Sequence, residues 1–324
     1  MPDLAALPPL TSGSGLSHWR PDPSGLAIAV LLTTGYLLLV RRASSLGHRW
    51  PWYRTLTFLI PGIGTLLFAT AGPVGVYAGE LFWVYVVKVL LLLLVAPTLL
   101  AFGRPLSLTR LRPSGVVADG PDGWLKRLSH PLIGPALVPV CIGLVFFTGL
   151  LTASLHSTAV AAAEQVGLLL AGFVFALPLV GEGAAPVSIA VAFAVFAGFL
   201  ELLADAVPGF AVRMRDSLLT PWYANLHRGW GPSPLNDQHL GGSILWAVAE
   251  LVDLPFLVLM VIQWIRADAR EAAEVDRMLD ESEHKRRQLT LPAEVIAAGN
   301  EALEPPWWEH DASVFGSRSR QFRR

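Results

Sequence analysis

The sequence predicts an all-α, polytopic membrane helix bundle of about seven transmembrane helices, with the N-terminus outside and the C-terminus cytoplasmic. Three observations carry this prediction. Hydrophobic residues make up 53% of the chain and charged residues 15%, with mean hydropathy +0.52, a balance unusual for a soluble protein of this length. Apolar stretches recur along the sequence, and one of them, residues 81–103, is long enough to cross a bilayer with a single charge in it. Basic residues crowd into alternate loops, as they do around multi-span proteins.

The elements follow in order. Residues 1–24 form an extracytoplasmic N-terminal segment. Its opening, MPDLAALPPLTSGSG, lacks a basic region followed by an apolar one, so it does not read as a cleavable signal. The membrane domain is 25–265. Its candidate spans are about 25–40, 53–71 (which contains Pro61-Gly62), 81–103, 132–152, 158–180, 187–207 and 240–265. Residues 266–324 are predicted to be a charged cytoplasmic helix and a flexible tail. Pro305-Pro306-Trp307-Trp308-Glu309 in that tail reads as an interfacial anchor or a partner-binding patch.

Orientation follows from the loops. Arg41, Arg42, Arg49 and Arg54, with Arg104, Arg110, Arg112, Lys126 and Arg127, stand against Arg20, Arg213, Arg215 and Arg228 on the other side, nine against four. The richer side stays in the cytoplasm. Net charge is −1, which leaves no global basic field for nucleic acid. The single cysteine, Cys141, excludes an intrachain disulfide and a CxxC metal site. No P-loop, dinucleotide fingerprint, GxSxG or HExxH occurs, so the chain is not read as an enzyme.

Ionisable residues inside spans are expensive and need partners. Those here are Lys88, Glu164, Glu201, Asp205, Glu250 and Asp253. Lys88 lies about seven residues into its span, roughly 10 Å deep at the helical rise. Glu164 and Glu201 fall at a similar depth in the outer third. A buried ion pair of Lys88 with Glu164 is expected, with Glu201 as the other candidate partner. Such a pair serves either an ion path or helix packing. Glu250 and Asp253 are one turn apart on span seven, where Gly241-Gly242 and Ala247 thin one side for close helix approach. They read as a cation site or a helix–helix hydrogen-bond cluster.

The outer loops offer weak metal candidates: His18, Asp22, Asp237 and His239, with Glu250 deeper. Histidine with carboxylate suits copper or zinc, but no HxH, HxxxH or MxxM spacing joins them on that side. His156 and His227 lie in outer loops as well, while His48 and His130 sit on the cytoplasmic side.

Taken together, these residues resemble the membrane-embedded CtaG family of cytochrome c oxidase assembly factors, over roughly 10–280. The resemblance rests on Trp19-Arg20-Pro21-Asp22-Pro23, Gly47-His48-Arg49-Trp50-Pro51-Trp52, Val95-Ala96-Pro97, Ser129-His130-Pro131, and Leu170-Ala171-Gly172 with Pro178-Leu179. It is strongest at Asp237-Gln238-His239-Leu240-Gly241-Gly242, followed by Trp246 and Glu250. Arg266, Asp268, Arg270 and Trp307-Trp308-Glu309 look like actinobacterial members.

The resemblance implies a bacterial plasma-membrane protein that matures haem-copper oxidase by handling copper, with oxidase subunits and the lipid bilayer as partners. It also implies intramembrane histidines, where this chain has Tyr85 and Val89 in span three and Ala161, Gln165 and Gly167 in span five. The expectation is therefore a divergent member whose copper site is degenerate and whose role is scaffolding. A copper or small-solute transporter and an accessory subunit of a respiratory complex stay open as alternatives.

Overall fold

The computed structural model describes residues 7–10, 18–111, 133–177, 180 and 206–289, and among these every regular element is helical. We number the helices α1 (Pro23–Ser45), α2 (Trp52–Tyr77), α3 (Phe82–Phe102), α4 (Pro105–Thr109), α5 (Ile133–Phe147), α6 (Leu150–His156), α7 (Thr158–Ala176), α8 (206–213), α9 (Trp222–Asn225) and α10 (Pro234–Leu289). Helices α1, α2, α3 and α7 are each long and apolar enough to cross a membrane. The pair α5 and α6, bent by 65° across residues 148–149, supplies a fifth candidate. Five of the stretches read from hydropathy are thus helices of spanning character. The sixth, 187–207, lies outside the described residues except for its last two. The seventh, 240–265, falls within the 56 residues of α10.

Local sequence explains the helix ends. Asp22 caps α1 by accepting from the Ser24 and Gly25 amides, and Pro23 occupies the first turn, where its missing N–H costs nothing. Ser157 caps α7 through the Val160 amide. Helix α2 widens to a π turn over Phe58–Ile63, which contains Pro61. Helix α3 does the same over Leu91–Val95, just before Pro97. Proline removes an intrahelical hydrogen bond, and a π turn absorbs the misfit.

The core lies along α3, whose Tyr85, Val86, Val89, Leu92 and Leu93 are all buried. Small residues let the neighbours close in. A Cβ on Gly62 of α2 would meet Leu100 at 2.9 Å, and one on Gly172 of α7 would run into the Leu93 carbonyl. Consecutive glycines of α10 face two partners: Gly241 lies on Phe82 and Val86, and Gly242 on the backbone of Gly209 and Arg213. The close approach expected at Gly241-Gly242 is what these contacts need. Ala247 is exposed.

Replacing Gly172 with leucine is expected to lower stability by about 1–3 kcal/mol, because a backbone carbonyl cannot yield. Gly167→Leu on the same helix meets nothing within 4 Å and should leave the melting temperature almost unchanged. Thermal unfolding of the two variants in one detergent checks the contrast.

Two polar ties mark the ends of the bundle. At one end Arg20 donates its amide to Ala71, next to the starts of α1, α3 and α7. At the other, the Trp50 indole donates to the Tyr36 hydroxyl at 3.1 Å, and Tyr36 donates to the Gly103 carbonyl at 3.0 Å. The Tyr36 ring stacks on Phe58, centroids 3.9 Å apart. The chain divides into two units, Met1–Ala267 and Asp268–Arg324. In the second, 268–289 is helical, with Val275, Met278 and Leu279 exposed.

Candidate functional site

The polar residues of the spans gather where α1, α3, α6 and α7 begin or meet. Tyr85, on the second turn of α3, is buried and donates its hydroxyl to the Glu164 carboxylate of α7, at 2.7 and 2.8 Å to the two oxygens. The same hydroxyl lies 2.7 Å from Ser154 of α6, which also donates to the Leu151 carbonyl. Lys88, one turn on, sets its Nζ 5.9 Å from the centroid of the Tyr85 ring. Among the described residues Lys88 makes no ion pair within 4 Å. The carboxylates whose fields reach it are Glu164 first and Asp22 second.

Asp22 joins the cluster from outside its span. One oxygen accepts from the Ser24 amide and hydroxyl, at 3.3 and 2.7 Å. The other accepts from the Gly25 amide at 3.1 Å and from the side-chain amide of Gln165 at 3.0 Å. The Gln165 oxygen takes the Ser24 hydroxyl at 3.3 Å. Gln165 is 3% exposed, so α7 offers adjacent residues to two chains of hydrogen bonds, Glu164 to α3 and Gln165 to α1.

A second cluster sits at the N-terminus of the same α3. That helix has no local side-chain cap, and its first amides need acceptors. Asp237 supplies them from α10: one oxygen accepts from Phe82 at 3.0 Å and the other from Trp83 at 3.1 Å. The first oxygen also pairs with Arg228 at 2.9 Å, and both side chains are buried. Burial pushes the Asp237 carboxyl up from the usual carboxylate range, while the Trp83 and Phe82 amides and Arg228 draw it back. Burial also pushes the Tyr223 hydroxyl up, and the Asp237 charge adds to that.

The residues after Asp237 fasten the preceding loop. Gln238 accepts from the Leu219 amide at 2.7 Å and donates to the Ser217 carbonyl at 3.1 Å. His239 Nε2 lies 3.1 Å from the Arg215 carbonyl. Trp222 and Tyr223 of α9 donate to the Gly79 and Ala78 carbonyls. Asp237-Gln238-His239, the part of the sequence that looked most like a functional motif, therefore clamps residues 215–228 onto the start of α3.

Of the metal candidates, Asp22 and Asp237 belong to different clusters with their oxygens engaged. His239 is at the loop, and His18 packs edge-on against Tyr77 at 6.2 Å. Among the described residues no three of His, Cys, Asp and Glu converge to hold a metal ion. The side chains of Glu250 and Asp253 lie outside the described residues, as do Glu201, Asp205 and His130. Sequence reasoning did not single out Ser154, and it placed Arg228 only in a charge count. It read Gln165 as a lost ligand position, whereas its amide ties α7 to α1.

The donor set decides whether copper fits. Around Tyr85 it is two carboxylates, an amide, two serine hydroxyls, a phenol and a lysine amine, with no imidazole, thiolate or thioether among them. Copper prefers the soft and imidazole ligands that this cluster lacks. Asp22 and Glu164 already accept hydrogen bonds, and the Lys88 amine lies beside them. These residues do not fit copper.

Residues 34–267 match the model of the family described as cytochrome c oxidase caa3 assembly factor (Caa3_CtaG). A Mycobacterium bovis protein called Uncharacterized protein Mb0105 is 29% identical over 295 residues, 84% of this chain and 43% of that protein. Uncharacterized protein ML1998 of Mycobacterium leprae is 28% identical over 276 residues, 81% of this chain and 42% of that protein. The chain spans less than half the length of these curated relatives. No solved structure matches.

Proposed function

The chain belongs to the cytochrome c oxidase caa3 assembly factor family, and from that premise we propose that it supports oxidase maturation as a scaffold without holding copper in its spans. The protein is a seven-span bundle of the bacterial plasma membrane. The basic loops face the cytoplasm, and the N-terminus and both polar clusters lie toward the outer side.

One observation supports this reading above the rest. Of the five positions where the family resemblance implies metal-binding histidines, held here by Tyr85, Val89, Ala161, Gln165 and Gly167, Tyr85 and Gln165 are hydrogen-bonded partners in a cluster that includes Lys88. A bound cation would offset the Glu164 and Asp22 charges, and the lysine ammonium does that from within the chain. Lys88 is the counter-charge of Glu164 across the Tyr85 ring, with Glu201 as a further partner. The clamp of Asp237 on α3 then holds the outer surface in one shape, which suits recognition of an oxidase subunit.

Deleting the gene is expected to lower haem-copper oxidase activity in membranes, and added copper should not restore it. Complementation with the intact chain should. Full rescue of the deletion by copper alone would count against a scaffold and for a copper-delivery role.

A further inference from the structure

Among the described residues of α1 to α4 and their loops, the end of the bundle opposite the clusters carries arginines and no Asp or Glu. Arg41, Arg42 and Arg49 are exposed, and Arg54, Arg104 and Arg110 are partly buried. No Asp or Glu occurs from residue 23 to 79 or from 81 to 118, and the flanking Asp22 and Glu80 lie at the other end. The tie from Trp50 through Tyr36 to Gly103 brings the loop after α1 beside the segment around α4.

Among the described residues, two side-chain nitrogens are buried there without a hydrogen-bond partner, Nε2 of His48 and Nη2 of Arg110. A buried donor left unpaired costs the desolvation of that group, so each such atom needs an explanation. Arg104 adds a second sign. Its backbone is left-handed, at φ 50° and ψ 53°, where a residue with a Cβ stands only under constraint.

Beside these donors the surface turns apolar. Trp52 is 74% exposed and Tyr53 54%, and Leu56 and Ile60 follow at one-turn spacing, also exposed. The Arg54 guanidinium lies 5.0 Å from the Trp50 ring centroid and 5.8 Å from that of Tyr53. Phosphate matches guanidinium geometry, and aromatic rings sit at headgroup depth. A free phosphate would use only the donors. A phospholipid would also use the apolar strip descending from them along α2.

We propose that this end of the bundle binds an anionic phospholipid, its phosphate held by Arg54, Arg104 and Arg110 with His48, and its acyl chains laid along Trp52, Leu56 and Ile60. The site stands apart from the outer clusters and does not rest on the reading of oxidase assembly. It uses the anionic character of the cytoplasmic leaflet.

The test uses the full chain in nanodiscs of phosphatidylcholine alone or with phosphatidylglycerol, and native mass spectrometry of the detergent-purified protein. Phosphatidylglycerol is expected to raise the melting temperature by about 4 °C, a shift typical of roughly 1 kcal/mol or a little more, and to stay bound on ionisation. Arg54→Gln should reduce both readouts several-fold, as should Arg110→Gln. Arg215→Gln at the other end should leave them intact. Should Arg110→Gln not fold, Arg54→Gln together with Arg49→Gln carries the test, since these side chains are exposed or partly so. Equal stabilisation by neutral lipid, unchanged lipid retention in Arg54→Gln, or equal stabilisation by inorganic phosphate alone would overturn the proposal.

Discussion

Asp237→Ala is expected to destabilise the folded chain by about 3–5 kcal/mol, the cost of removing one partner from a buried ion pair. The expectation rests on what the carboxylate does at once. It pairs with Arg228 and satisfies two amides at the start of α3 that have no other cap. The alanine variant leaves the Arg228 cation buried, 5% exposed, with no counter-ion. Helix α3 carries the core, so loss of its first turn spreads. Asp237→Asn keeps one acceptor oxygen and should fall between wild type and alanine. Chemical unfolding of the three proteins in the same micelle gives the order. Equal stability of alanine and wild type would remove the clamp from the account.

Glu164→Leu is expected to cost a similar amount, about 3 kcal/mol or more, for a related reason. It takes the acceptor from the buried Tyr85 hydroxyl and the nearest negative charge from Lys88. Among the described residues, Asp22 is then the carboxylate left to the lysine. Adding Lys88→Met should recover much of the loss, because the buried amine goes together with the carboxylate that faces it. The coupling energy of the double-mutant cycle should exceed about 1 kcal/mol in magnitude, as it does for residues of one network. Additive effects would mean that Lys88 and Glu164 do not sense each other, and the reading of Lys88 as an internal counter-charge would fail. Tyr85→Phe is a milder probe. It keeps the ring below Lys88 and removes only the donor to Glu164.

The sequence displayed some of this and concealed the rest, for physical reasons. Long apolar runs revealed α1, α2, α3, α5 with α6, and α7, because burial in lipid imposes composition directly. Lys88 and Glu164, expected at a similar depth from their distance into those runs, both lie beside Tyr85. Their relation through a phenol was not readable, since helix rotation about the long axis leaves no trace in hydropathy.

Asp22 was read as a weak metal candidate, whereas the structure makes it the cap of α1. Its bond to Gln165, far along the chain, left no sign in the sequence. Arg228 had no signal at all: it sits in a polar loop, nine residues before its partner, and only the fold makes it a buried cation. Asp237-Gln238-His239 carried the strongest family resemblance and reads naturally as chemistry. The structure gives each of the three a different piece of backbone to hold.

The central claim is that an internal ammonium and hydrogen bonds occupy the place of a metal in the outer half of the bundle. Copper content is its most direct measure, taken on the purified full chain after exposure to Cu(I) and removal of loosely bound ion. Substoichiometric copper is expected, unchanged in Tyr85→Phe and Glu164→Gln. Stoichiometric, tightly held copper that disappears in either variant would contradict it.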